Sequence, residues 1–234
     1  MKKTRNTQNP PKLDIEGGEV YSDEFYNQYI SDFEPNNKKR RVFRVAKRSF
    51  DIVGALLLMV LLALPMLVIA IIIKCDSEGP VIFDGERVGA NGKRFKCYKF
   101  RTMRSDAPHE CPSSLLGDPE GHLTSAGKIL RKYSLDELPQ ILCVFLGTMS
   151  FIGYRPLVPA EQNCNDMREK LGVFTMRPGI SGYAQVNGRD KVYYKNKAIM
   201  DAYYVKNASV WLDIKIMIKT VSVVFSQNED VPEK

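Results

Sequence analysis

Histidine and tryptophan are nearly absent from this chain, with two and one among 234 residues. His109 and His122 lie in sequence rich in Pro, Gly and Ser and read as exposed loop residues rather than ligands. The five cysteines (Cys75, Cys97, Cys111, Cys143 and Cys164) are odd in number, and none sits in a CxxC spacing. That argues against a disulfide framework or a thiolate zinc site and points to a reducing compartment. Neither paired Cys/His spacing nor an RNP-like aromatic strand occurs, so no nucleic-acid partner is expected despite a net charge of +7. The basic balance is assigned instead to lipid headgroups or phosphorylated substrates. No internal repeat is visible. Residues 1–37 lack a clean helical period and read as a mobile polar tail. No apolar core follows their basic start directly, so they do not read as a signal peptide.

What is present begins with a basic run, Lys38, Lys39, Arg40, Arg41, Arg44, Lys47 and Arg48, that contains no acidic residue. An uncharged block of 22 residues follows, Ile52 to Ile73. As a helix it would reach ~33 Å at about 1.5 Å per residue, enough to cross a bilayer core. Two features argue against a simple span. Pro65 sits inside the block, where it removes a backbone donor and clashes with the carbonyl four residues back. Basic residues also flank the block on both sides, the second group being Arg87, Lys93, Arg94, Lys96, Lys99, Arg101 and Arg104. Lys/Arg-rich flanks favour the cytoplasm. The reading is therefore a re-entrant helical hairpin that enters the membrane, breaks at Pro65 and leaves on the same side.

Beyond the block, short strands are expected at Val81–Phe83 and Arg94–Met103, with Asn91-Gly92 as a hairpin signal between them. Ala107 to Gly121 reads as loop. Thr124–Lys132 reads as a helix capped by Thr124, and Pro159–Leu171 and Ala198–Asn207 as further helices. Val210–Phe225 is strongly amphipathic, with Val210, Trp211, Ile214, Met217, Ile218, Val221 and Val224 at helical spacing. That face suits either packing on the core or lying in a membrane interface.

The most informative stretch is Arg131-Lys-Tyr-Ser-Leu-Asp-Glu-Leu-Pro-Gln140. Ser134 followed three residues later by Glu137 fits a capping box, so Asp136 and Glu137 suit a helix N-terminus and nothing more. The same residues also fit chemistry. Cations nearby, Arg131 and Lys132, hold carboxylates ionised, and an ionised Asp coordinates Mg²⁺ or attacks phosphorus. Neighbours on a helix point about 100° apart, so one would be the nucleophile and the other would orient it, bind metal or handle a proton. Three weaker motifs carry cations on turns or strand edges: Lys99-Phe-Arg101-Thr-Met, Gly153-Tyr-Arg155-Pro, and Arg177-Pro-Gly179-Ile-Ser-Gly-Tyr followed by Gln185-Val-Asn-Gly-Arg189. Glycines there would let the backbone approach an anion closely.

As an ordered set these strings resemble the bacterial sugar transferase family, the monotopic phosphoglycosyl transferases. The match runs from Lys47-Arg48-Ser-Phe-Asp51 through Gly79-Pro-Val-Ile-Phe83, Gly92-Lys-Arg-Phe95, Tyr98-Lys-Phe-Arg-Thr-Met103 and Ser134-Leu-Asp-Glu-Leu-Pro-Gln140 to the glycine motifs above. The resemblance implies an α+β architecture: a re-entrant membrane helix-break-helix at 42–78, a small catalytic domain at 79–226 with interfacial amphipathic helices, and tails at 1–41 and 227–234. It implies transfer of a phospho-sugar from a UDP-sugar to polyprenyl (undecaprenyl) phosphate at the cytoplasmic face of the inner membrane, with UMP released. Asp136 would attack the β-phosphate to give a covalent phospho-sugar ester, with Mg²⁺ at Asp136 and Glu137 as the partner carboxylate. Lys99, Arg101, Arg131, Arg155, Arg177, Gly179 and Arg189 become substrate-binding candidates. Expected partners are the UDP-sugar, the polyprenyl phosphate, the bilayer and, as a candidate, a second copy in a homodimer. Two departures stand out. The family's usual Ser-Pro at the break is Leu64-Pro65 here, and its Gly-Pro-Arg-Pro reads Gly153-Tyr154-Arg155-Pro156. The rival reading is a non-enzymatic membrane adaptor docking on anionic lipids. It accounts for the charge and the apolar block but gives the Asp-Glu pair no task.

Overall fold

The computed structural model describes residues 37–107, 121–188 and 193–226. Residues 1–36 of the expected 1–41 tail, the expected tail at 227–234, most of the Ala107–Gly121 loop with His109, and Arg189 lie outside the described residues, and the rest of the 1–41 segment, from Asn37, is helical.

The chain is a mixed α+β fold. Helix α1 (Asn37–Asp76) runs for 40 residues and carries the apolar block. It divides into two arms, Val42–Leu61 and Ala63–Asp76, bent by 61°. The bend falls where Pro65 requires it. With no N–H, Pro65 cannot bond to the carbonyl of Leu61, and its ring crowds that carbonyl, so the helix opens at Leu62. The arms make an open angle rather than a tight hairpin. Each is docked separately. Ala55, fully buried, packs with Cys97, Ile141, Cys143, Val144 and Met149. Ile73 packs with Phe100 and Leu130. Burying an Ile side chain is worth about 1.5–3 kcal/mol, so both arms are held by ordinary core packing. Much of the remaining α1 surface is apolar and exposed, including Val53, Leu57, Leu61, Leu64 and Ile71.

Strands β1 (Ile82–Val88) and β2 (Arg94–Phe100) form an antiparallel hairpin with Ile82 opposite Phe100 and Val88 opposite Arg94. The turn places Asn91 and Gly92 at φ 56° and 68°, as the Asn-Gly signal requires. β1 extends well past the expected Phe83. Its second half is charged, and those charges pair across the hairpin instead of following an apolar alternation: Lys96 Nζ lies 2.6 Å from Asp84 Oδ2, and Arg94 Nη1 lies 3.1 Å from Glu86 Oε2.

Helix α2 (Ser125–Lys132) starts at the expected cap, with Thr124 Oγ1 accepting from Gly127 N at 2.9 Å. Asp76, at the end of α1, adds a second cap by accepting from Ala126 N at 3.0 Å. His122 precedes this helix in a loop as expected, but it is half-buried with an enclosed, unpartnered Nδ1. After a 3-10 turn (Leu135–Glu137) come α3 (Gln140–Leu146) and the short strand β3 (Ser150–Ile152). Helix α4 (Gln162–Lys170) and β4 (Gly179–Ser181), parallel to β3, follow. Then come α5 (Tyr183–Gly188), α6 (Tyr194–Asn207) and α7 (Val210–Ser226). The largest core cluster gathers Tyr154, Leu171, Val173, Ile199, Tyr204 and Val205 around α4 and α6.

Helix α7 turns its apolar stripe outward. Val210, Trp211, Ile214, Met217, Ile218 and Val221 are exposed, while Ile216 is 2% exposed and seated in the core. The alternative that this stripe packs on the core is therefore corrected. Leu212 and Ile216, off the stripe, make the core contact and leave the stripe uncovered.

Candidate functional site

The 3-10 turn after α2 sets the Asp-Glu pair. Ser134 adopts a left-handed φ of 55° and makes no side-chain cap hydrogen bond. The expected capping box is therefore absent. Glu137 does not reach back to the Ser134 backbone, because two cations claim its carboxylate. Oε1 lies 2.6 Å from Lys99 Nζ and 3.0 Å from Arg155 Nη1. Charge-assisted bonds of this kind are roughly twice as strong as a neutral cap bond. Lys99 is delivered by β2 and Arg155 by the turn that follows β3.

Asp136, 8% exposed, differs from its neighbour. Among the described residues its one ion-pair partner is Lys99 Nζ, 3.8 Å from Oδ2, and no hydrogen bond reaches its carboxylate. Burial pushes the Asp136 carboxyl above the ordinary carboxylate range; Lys99 opposes the rise and the negative Glu137 adds to it. Burial would also raise Glu137, but Arg155 and Lys99 outweigh it and hold that carboxyl down at about 2. Two adjacent carboxylates are thus driven in opposite directions by their surroundings. One is saturated by cations, and the other is left open.

Both carboxylates line a cavity of about 930 Å³. Of the residues singled out in the sequence, Lys99, Arg101, Arg131, Arg155, Asp136 and Glu137 meet there. Their commitments differ. Arg131 Nε donates to Thr102 Oγ1 at 3.0 Å, which fixes the guanidinium beside the dyad. Arg101 is only 6% exposed, and its Nη groups donate to the carbonyls of Ser77 and Glu78 and to Ser77 Oγ. It therefore ties the exit of α1 to the cavity wall. Arg177 does not line this cavity; its Nε donates to Gly147 O at 2.7 Å. Gly179 is absent from the lining too. Its backbone lies against Gly153, and a Cβ on Gly179 would fall 2.1 Å from Gly153 N. The close approach that these glycines permit is therefore to each other, across the β3–β4 pair.

Residues not singled out beforehand also contribute. Arg87 of β1 lines the cavity; in the sequence it reads only as part of a basic flank. Ser181, Gln185 and Thr220 supply neutral polar groups, and Leu58 and Leu62 bring the bend of α1 to the same space. Ser181 and Gln185 lie inside the motif that starts at Arg177, where the sequence assigns them no role; no local signal marks Leu58, Leu62 or Thr220, which converge only through the packing of α1 and α7.

Among the described residues no cluster of three or more His, Cys, Asp or Glu side chains is placed to hold a metal ion. An all-protein metal cage is thus not available there. A hexacoordinate Mg²⁺ held by one or two carboxylates, water and substrate phosphates needs less, and the open Asp136 carboxylate fits that mode.

Residues 42–227 match the family model described as bacterial sugar transferase. The chain is 39% identical over 209 residues to the UDP-galactose-lipid carrier transferase of Erwinia amylovora, covering 82% of this chain and 43% of that protein. It is 36% identical over 209 residues to the undecaprenyl-phosphate galactose phosphotransferase of Salmonella typhimurium, with the same coverage. It is 35% identical over 207 residues to the exopolysaccharide production protein ExoY of Rhizobium meliloti, covering 82% of this chain and 90% of that one. The chain thus spans less than half the length of the first two relatives and most of the third. With the family model covering nearly all of the described residues, the chain belongs to the bacterial sugar transferase family.

Proposed function

We propose that the protein transfers a phospho-sugar from a UDP-sugar to undecaprenyl phosphate through a covalent intermediate on Asp136. The observation that carries this is the buried Asp136 carboxylate, unbonded and facing a cavity walled by Lys99, Arg131 and Arg155. An Asp Oδ would attack the β-phosphorus of the donor. A P–O bond to the uridine monophosphate unit breaks, UMP leaves, and a phospho-sugar acyl phosphate remains on Asp136. An oxygen of the polyprenyl phosphate then attacks the same phosphorus, the Asp–P bond breaks and the carboxylate is restored. Glu137, held ionised, keeps Lys99 and Arg155 in place to neutralise charge on the transferring group. Mg²⁺, held by Asp136 and the diphosphate, would supply further charge neutralisation and orient the leaving group.

The acceptor is a lipid, and the cavity suits one. Leu58 and Leu62 at the bend of α1 line it together with the cations. We read the bent, apolar α1 as re-entrant in the cytoplasmic membrane and the outward stripe of α7 as lying in the interface. Both Lys/Arg-rich flanks of α1 then stay on the cytoplasmic side. The names of two of the relatives point to galactose, so UDP-galactose heads the donor panel.

The test is UMP release by purified protein in nanodiscs with Mg²⁺, undecaprenyl phosphate and a panel of UDP-sugars, with Asp136→Asn in parallel. UMP formed with one donor and lost in the variant supports the reading. Undiminished release by Asp136→Asn would remove the covalent role of Asp136, and the absence of any UDP-sugar binding would remove the transferase reading.

A further inference from the structure

Arg177 belongs to a different cavity. With Arg44, Lys47, Arg48, Asp51 and Ser150 it lines a space of about 230 Å³ between the first arm of α1, the β1–β2 turn at Asn91 and the segment that precedes β4. That is below the roughly 300–1,000 Å³ of cavities that enclose drug-sized ligands, so it suits a small group rather than a sugar nucleotide.

Four cations face one carboxylate there, and much of the pairing is already decided. Arg48 donates to the carbonyls of Val144 and Phe145 at 2.6 and 2.8 Å, and Arg177 Nε donates to Gly147 O. These bonds close the C-terminus of α3, where cations are favoured. Lys47 is bound to Asp213 at 2.6 Å. Asp51 Oδ1 is engaged by Ser150 Oγ at 3.0 Å and Phe151 N at 3.2 Å. What is left over is positive. Arg44 is exposed and has no hydrogen bond or ion pair among the described residues, and the same holds for the Nη groups of Arg177. Two guanidinium forks with spare donors in one small cavity match the oxygens of a phosphate group. Val45 and Phe50, exposed on the same arm of α1, put apolar surface beside the cavity.

We infer that this cavity is a second anion site, distinct from the catalytic one, that takes the phosphate of an anionic phospholipid headgroup where α1 enters the bilayer. The bilayer position rests on the re-entrant reading above; the phosphate chemistry rests on the side chains alone.

The experiment counts lipids bound to the full chain in neutral detergent by native mass spectrometry, titrating phosphatidylglycerol, phosphatidylcholine of the same acyl chains, and inorganic phosphate. Wild type should bind phosphatidylglycerol in preference to phosphatidylcholine. Arg44→Gln and Arg177→Gln should each weaken phosphatidylglycerol by about fivefold, the worth of one basic residue at a lipid surface. Arg44 is exposed and unbonded, so its variant should melt with the wild type and a failed fold cannot imitate the result. Equal binding of the two lipids, or variants that bind as wild type does, would overturn the site. Displacement of phosphatidylglycerol by inorganic phosphate at equal concentration would overturn the lipid assignment and leave a free-phosphate site. No sugar nucleotide is present, so the outcome is independent of whether the transfer reaction itself is upheld.

Discussion

The ammonium of Lys99 lies 2.6 Å from Glu137 and 3.8 Å from Asp136, so a single cation is bound to one carboxylate while facing the other. This makes Lys99 the link between the two halves of the dyad. Lys99→Met removes positive charge beside the proposed nucleophile and leaves Arg155 as the remaining ion-pair partner of Glu137 among the described residues. Removing one preorganised charge-stabilising donor costs about 10²–10³ in turnover. Initial rates of UMP release should fall by that order, and a loss under threefold would place Lys99 outside the chemistry.

The dyad also sets a pH dependence. Attack requires ionised Asp136, whose carboxyl is pushed above its ordinary value by burial and further by Glu137. Turnover should therefore decline as pH falls through a value higher than the usual ~3.9 of an Asp. Glu137→Gln removes the negative neighbour and should move this acid limb to lower pH while reducing the rate. A pH profile of single-turnover UMP release with an acid limb near the ordinary Asp value would contradict the burial argument.

The Glu137 carboxyl is shifted the opposite way from Asp136, and its shift acts on stability. Its carboxyl sits at about 2 in the fold and at about 4.3 in an unfolded chain. A depressed carboxylate contributes its stabilisation in full above the unfolded value and loses it as pH falls through the folded one. Acid melting of wild type between those limits should be steeper than that of Glu137→Gln, which has no such proton to take up. Thermal melts across that window compare the two directly; parallel curves would mean that Lys99 and Arg155 do not hold Glu137 ionised.

Much of this was legible in the sequence where local chemistry decides the structure. Thr124 caps its helix, Asn91-Gly92 turns its hairpin and Pro65 bends α1, because each effect acts within four residues. Long-range partners were not legible. Ser134 and Glu137 have capping-box spacing, yet Lys99 and Arg155, brought from β2 and the turn after β3, redirect the glutamate. Gly179 has the look of an anion-binding glycine, but its space is taken by Gly153. Arg101 and Arg177 read like substrate cations; in the fold the Nη groups of Arg101 and the Nε of Arg177 donate to backbone carbonyls at the ends of α1 and α3. An arginine's spare donors cannot be counted from sequence, since the carbonyls that consume them lie far along the chain.

On the proposed re-entrant reading, the return of α1 to its starting side has two candidate causes, and their magnitudes separate them. Proline in a helix interior costs about 3 kcal/mol, which the bend relieves. Against this stand the anchors of the second arm. Ile73 is buried against Phe100 and Leu130, worth about 1.5–3 kcal/mol. Asp76 caps α2 through Ala126 N, and Arg101 grips the carbonyls of Ser77 and Glu78, with bonds to a charged group worth about 1.5–3 kcal/mol each. Together the anchors exceed the proline effect, so Pro65→Ala alone should not let the second arm cross the bilayer. Cys75, exposed at the end of that arm, reports its side. In a Cys111→Ser background, a membrane-impermeant maleimide added outside right-side-out vesicles should leave both the parent and Pro65→Ala unlabelled. Combining Pro65→Ala with Ile73→Ala and Arg101→Ala should make Cys75 reactive from outside. Labelling of Pro65→Ala by itself would show that the proline, rather than the docking of the second arm on the catalytic body, sets the topology.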